Sequence, residues 1–146
     1  MASTRFRQGF YTPKHPEKYM GDPSRIVYRS SWELNLHKFF DNNTRVTRWG
    51  SEIIKIPYIK PTDGRVHHYY PDYFVEFINT EGEIVRELIE LKPLAQTRQP
   101  RSTRGKQNLY ENLTFVINVA KWKQAELWCK KHGVTWRIIT ERDVFR

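Results

Sequence analysis

Two strand-like segments, Tyr69 to Ile78 and Ile84 to Lys92, lie on either side of the polar turn Thr80-Glu81-Gly82. A three-residue hairpin loop puts its last residue in the left-handed region, which glycine enters without strain. With Gly82 there, Asn79 pairs with Glu83 and the register runs outwards from that pair. Ile78 then faces Ile84, Glu76 faces Arg86, Phe74 faces Leu88, and Asp72 faces Glu90. The opposite charges of Glu76 and Arg86 support this count. The other face carries Tyr73, Val75, Phe77, Val85, Ile89 and Leu91, apolar except for Glu87. A two-residue loop would shift the pairing by one and set Asp72 against Leu91. The sequence leaves that alternative open.

The first register has a chemical consequence. Directly opposed carboxylates, with Cβ atoms about 4.5–5.5 Å apart, repel each other and destabilise a sheet. A hard divalent cation offsets that repulsion, and Mg²⁺ takes carboxylate oxygens together with water and phosphate. By the two-residue period Lys92 shares the face of Glu90. A lysine there orients or activates a water and stabilises developing negative charge. Asp72, Glu90 and Lys92 are thus the parts needed to hydrolyse a phosphodiester. The plainer alternative is a set of solvated polar residues on an exposed sheet face.

The remaining pattern sets the fold class. Residues 1–29 hold Pro13, Pro16, Gly21 and Pro23 among Arg5, Arg7, Lys14 and Lys18, and are expected to form a basic extended N-terminal arm. From Ser30 onwards Trp32, Leu36, Phe39 and Phe40 recur at helical spacing, and Asn42-Asn43 ends the run. A strand is expected over Trp49–Tyr58, with Pro57 marking an edge. Leu94 to Lys106 shows no period. A long helix is expected from Asn108 to Lys131, with Leu109, Leu113, Val116, Val119, Trp122, Ala125 and Trp128 on its buried face. Gly133 suits its C-terminus, and Val134 to Thr140 alternates as a last strand. The order α-β-β-β-α-β predicts an α/β fold, a mixed sheet with a helix on each side, in one domain over 30–146.

Charge narrows the partner. The 146 residues carry a formal net charge of +9, which favours a polyanion such as nucleic acid. Arg98, Arg101, Arg104 and Lys106 form a run without an acidic residue, directly after the Glu90–Lys92 strand. Such a run grips phosphates without reading sequence; the alternative is a solvated loop. Asn118 and Lys121 lie about one turn apart on the long helix, most simply on a solvated face. His67 and His68 lack cysteine partners at zinc spacing. Base stacking is open to the five Trp and eight Tyr, but Trp32, Trp122 and Trp128 at helical spacing suit a core. The single Cys129 excludes an internal disulfide. No apolar run approaches the ~20 residues of a membrane span, so no membrane partner is expected.

Pro71-Asp72, then Glu90-Leu91-Lys92 after a hairpin, with Glu33 on a preceding helix, resembles the PD-(D/E)xK nuclease superfamily. The resemblance implies a restriction-endonuclease-like fold. It implies metal ligands at Asp72, Glu90 and the Leu91 backbone carbonyl, Lys92 serving the attacking water, a further metal or water contact from Glu33, and a polar helper for the phosphate on the long helix at Asn118 or Lys121. Ser30-Ser31-Trp32-Glu33 also reads as a capping box, which needs no catalysis. Tyr28–Glu33, His68–Tyr73, Asn118–Trp122 and Thr140-Glu141 together resemble the head-completion nucleases of T-even-type phages, relatives of the TnsA-type endonucleases. That resemblance runs from about Lys18 to the C-terminus. It implies Mg²⁺, replaceable by Mn²⁺, as cofactor and DNA as substrate. It also implies action after packaging, in the host cytoplasm or at the virion's head–neck region, with portal-proximal head and neck proteins as partners. The rival expectation is a structural DNA-binding neck or plug protein with little or no nuclease activity. A transposase endonuclease subunit shares the chemistry, but such subunits carry a further C-terminal domain, for which no room is expected after the last strand.

Overall fold

Gly82 adopts φ +81°, and the three-residue turn forms around it. The Asn79 N–H donates to the Glu83 carbonyl at 2.9 Å, and the Gly82 N–H to the Asn79 carbonyl at 3.1 Å. The Asn79 side-chain oxygen accepts from the Glu81 and Glu83 N–H groups, both at 2.9 Å. Arg86 Nε reaches Glu76 Oε2 at 2.9 Å, as the cross-strand count requires. The structure is a computed structural model, described for residues 8–100 and 105–144 without the side chains of Lys106, Gln107 and Val144.

The elements run β1 (Gly9–Tyr11), β2 (Ile26–Tyr28), α1 (Ser31–Asn42), β3 (Val46–Ser51), β4 (Ile56–Ile59), β5 (Val66–Tyr69), β6 (Tyr73–Ile78), β7 (Ile84–Leu91), α2 (Gly105–His132), β8 (Thr135–Ile139) and α3 (Glu141–Val144). Strands β3-β6-β7-β8 form one sheet in that order. β3 and β6 are antiparallel. β7 and β8 are neighbours joined through α2, the crossover that parallel strands need. The sheet is therefore mixed and the fold α/β, as expected. Two expected strands are each divided. Trp49–Tyr58 becomes β3 and β4, with Glu52 at φ +54° between them. Tyr69–Ile78 becomes the end of β5 and the whole of β6, separated by Tyr70-Pro71-Asp72.

The chain divides into two units, Met1–Ile53 with Tyr73–Glu87, and Ile54–Asp72 with Leu88–Arg146. This division does not follow the expected boundary at residue 30. In the first unit, Ser30 caps α1 by accepting from the Glu33 N–H at 3.1 Å. Leu36 and Phe40 are buried as expected, but Phe39 is exposed. Trp49 has no exposed surface and meets Tyr19, His37, Phe40 and Tyr73 at ring separations of 4.8–6.4 Å. The His37 Nε2–H donates to the Val27 carbonyl at 2.9 Å, and its Nδ1 lies 2.7 Å from the Tyr73 hydroxyl. Burial lowers its pKa.

Residues 8–29 are not an extended arm. β1 and β2 pair antiparallel, and a 3-10 turn covers Pro16–Lys18. Asp41, fully buried in α1, ties this segment down. Its carboxylate accepts from the Tyr11 hydroxyl at 2.5 Å, the Lys14 N–H at 2.7 Å and the His15 N–H at 2.9 Å. Lys18 Nζ donates to the Asp41 and Asn43 carbonyls, neutralising α1's C-terminal end.

In the second unit β4 and β5 pair as a two-stranded antiparallel sheet, with Pro57 opposite His68. α2 packs on β4 and β8. It closes at Gly133 (φ +67°), where the Val134 N–H reaches the Cys129 carbonyl at 2.9 Å, a glycine-dependent C-cap. Its buried face differs from expectation. Asn118, Trp122, Ala125 and Cys129 point inwards, spaced by three and four residues, whereas Leu109, Leu113, Val116 and Val119 are exposed. Among the described residues no helix is long and apolar enough to cross a membrane.

Candidate active site

Glu90 is the penultimate residue of β7 and is only 7% exposed. A carboxylate removed from water needs donors. The Tyr69 hydroxyl, at the end of β5, donates to Glu90 Oε1 at 2.7 Å. Glu90 Oε2 lies 3.7 Å from Lys92 Nζ. The two oxygens thus have different partners, one a neutral hydroxyl and one a cation. Burial, then the adjoining Glu90 charge, pushes the Tyr69 pKa up, so the hydroxyl keeps its proton and remains a donor.

Asp72 sits between β5 and β6. Its Oδ2 accepts the Leu91 N–H at 2.7 Å, which brings this carboxylate beside the Glu90-Leu91-Lys92 backbone. The Lys92 N–H donates to the Ile139 carbonyl on β8 at 3.0 Å, and this holds the end of β7 in place. Lys121 reaches the same place from α2, with its ammonium 5.6 Å from the Tyr69 ring centre and 5.9 Å from that of Tyr58. Its pKa is lowered, first by burial and then by the positive charge of Lys92, against the pull of Glu90. Two lysines, two carboxylates and a buried tyrosine therefore share one corner of this unit.

Among the described residues no group of three or more His, Cys, Asp or Glu side chains could hold a metal ion. The local donor set is two carboxylates, with backbone carbonyl oxygens beside them. That suits a cation such as Mg²⁺, which keeps several waters and shares its remaining positions with substrate phosphate.

Glu33 lies in the first turn of α1, in the other unit. Its carboxyl is 3.4 Å from the Ser30 hydroxyl. Burial raises its pKa, against the opposing effect of Arg29. These are the surroundings of a helix-capping residue.

Arg98 is exposed at the end of a 3-10 turn, Leu94–Thr97, that follows Lys92 closely. Arg101 and Arg104 lie outside the described residues, as does the Lys106 side chain. Tyr69 is not among the candidates that the sequence suggests. The break at Tyr70-Pro71 places it on a different strand from Asp72, so no count along the hairpin reaches it. The available signal is a buried carboxylate in need of a donor, with Tyr69 three residues from Asp72.

The profile of the TnsA-like endonuclease N-terminal family matches residues 43–141, a span that holds Tyr69, Asp72, Glu90, Lys92 and Lys121. The chain is also similar to the head completion nuclease of Enterobacteria phage T4, 34% identical over 139 residues, which cover 91% of this chain and 90% of the relative. A family match over more than half the sequence, together with a relative aligned almost end to end, shows that this chain belongs to the TnsA-like endonucleases.

Proposed function

We propose that the protein is a metal-dependent DNA nuclease acting in phage head completion. The observation that carries this reading is the pairing at the end of β7: a buried Glu90 bridged between Tyr69 and Lys92, with the Asp72 carboxylate on the adjoining Leu91 N–H. Asp72, Glu90 and the Leu91 carbonyl are the proposed ligands of Mg²⁺, with Mn²⁺ able to replace it. When bound, such an ion neutralises phosphate charge and lowers the pKa of a coordinated water. Lys92 orients the attacking water and stabilises charge building on the phosphate oxygens. Tyr69 keeps one Glu90 oxygen occupied, so that the other faces Lys92 and the substrate. Lys121 adds positive charge where the phosphate would sit. DNA as substrate is supported by the net charge of +9 and by the name of the T4 relative. The relative's name supports head completion as the setting; we place the action at the packaged head, in the host cytoplasm and beside portal-proximal head and neck proteins. Endonuclease action is supported by the description of the family.

The direct test is cleavage of linear and circular duplex DNA in Mg²⁺, Mn²⁺ and EDTA. Metal-dependent cutting of both forms is the expected result. Binding without cutting in either metal would transfer the protein to the structural neck-plug reading.

Two substitutions probe the supporting residues. Tyr69→Phe removes only the hydroxyl and is expected to weaken Mg²⁺ binding about 10–100-fold, the usual cost of losing a residue that holds a metal ligand. Calorimetric titration with Mg²⁺ reads this directly, and an unchanged affinity would discount the Tyr69 contact. Glu33→Gln keeps a residue able to complete the capping box but removes the charge. If Glu33 assists the chemistry, cleavage falls about tenfold or more at an unchanged melting temperature. Unchanged cleavage would leave Glu33 a helix cap alone.

A further inference from the structure

A cavity of about 490 Å³ opens between the segment that follows Lys92 and the first half of α2. It falls within the roughly 300–1,000 Å³ of small-molecule sites. Its lining includes Arg98, Tyr110, Glu111, Thr114, Phe115 and Asn118. Asn118 is only 5% exposed and lies on the cavity wall, so its amide meets whatever fills the cavity.

We infer that this cavity receives an unstacked nucleobase of the DNA substrate, with Asn118 bonded to the base edge and Tyr110 and Phe115 against its faces. This rests on the nuclease reading and adds to it a preference for frayed or single-stranded DNA next to the cut. Two observations favour a base over a phosphate. An amide offers both a donor and an acceptor, which suits a base edge. Two aromatic rings on one lining suit a π face. Arg98 is exposed and is suited to the phosphate beside that base. The cavity adjoins the active site along α2, because Lys121 lies about one turn, roughly 4.5 Å of rise, beyond Asn118.

The experiment is fluorescence anisotropy in EDTA, where cleavage is off. It compares a blunt duplex, the same duplex with a short single-stranded overhang, and that overhang made abasic. The parent protein is expected to bind the overhang about fivefold or more tighter than the blunt duplex, the scale of one base–aromatic stack. The abasic overhang should lose that advantage. Asn118→Ala should remove the preference. Tyr110→Ala should do the same, and Tyr110 is 67% exposed, so its loss does not threaten folding. Lys92→Ala should keep the preference. Equal binding of all three DNAs, or a preference undiminished in Tyr110→Ala, would overturn the assignment. Preference without metal-dependent cutting would sink the nuclease reading and leave the cavity assignment standing. Cutting without preference would do the reverse.

Discussion

Glu90→Gln and Lys92→Ala are each expected to lower single-turnover cleavage by about 10³-fold or more, with melting temperatures close to the parent's. The two losses have different causes. Glu90→Gln keeps an oxygen to accept the Tyr69 hydroxyl, now at 2.7 Å, so the buried hydrogen bond survives. What it removes is one of two negative charges at the proposed metal site. Relief of repulsion with Asp72 should make the variant at least as stable as the parent, the usual trade between activity and stability in a strained site. Lys92→Ala leaves both carboxylates and should still bind metal, but it removes the cation that lies 3.7 Å from Glu90 Oε2. Its loss should therefore appear in the rate and not in Mg²⁺ affinity. Full cleavage by either variant would end the assignment. Loss of cleavage together with a collapsed melting curve would be read as a folding defect, and Glu90→Asp would then be the next variant.

Asp41→Ala is expected to carry the largest stability cost, about 3–5 kcal/mol. The carboxylate satisfies one hydroxyl and two backbone N–H groups, and alanine would remove the acceptor of all three. The same contacts set a pH dependence. Burial alone would raise the Asp41 pKa, but the bonds from Tyr11, Lys14 and His15 outweigh it and hold the carboxyl below the ordinary value of 3.8. A depressed folded-state pKa means that the stabilisation is present above the unfolded value and is lost as pH falls through the folded one. Urea denaturation should thus show stability falling with acid below about pH 4, and Asp41→Asn should flatten that fall. An Asp41→Ala protein within 1 kcal/mol of the parent, roughly the worth of one ordinary hydrogen bond, would mean that the N-terminal segment is held by other contacts.

The hairpin is legible in the sequence because its information is local. Gly82 marks the turn, and Glu76 with Arg86 marks the register, so counting outwards from the turn is enough to set Asp72 near Glu90. Asp41 and Tyr69 are not legible, since each acts on residues 21 to 30 positions away with no periodic trace. α2 misleads for another reason. Leu109, Leu113, Val116 and Leu127 recur on one face and are exposed, while Asn118, Trp122, Ala125 and Cys129 recur on the opposite face and are buried. A helix apolar on both sides gives no phase by which to choose the inward one, and the polar Asn118 belongs to the buried side. The break between β3 and β4 leaves no sequence signal because Glu52 adopts φ +54°, a conformation glutamate rarely shows.

The Trp49 cluster also bears on how the protein is made. β3 is bridged at Trp49 by Tyr19 and Met20, but it pairs along its length with β6, which sets Trp49 against Val75, and Tyr73 completes the ring of aromatics around the indole. On the ribosome, β3 therefore emerges well before the strand that covers it. Until residue 73 has cleared the exit tunnel, the nascent chain carries Trp49 on a strand with an open edge, the kind of surface that recruits chaperones or aggregates. Slow synthesis while residues 54–72 are leaving the tunnel would prolong that exposure. Yield in a heterologous host should then depend most on codon choice in the stretch decoded at that time, which lies downstream of codon 72 by the length of chain the tunnel holds.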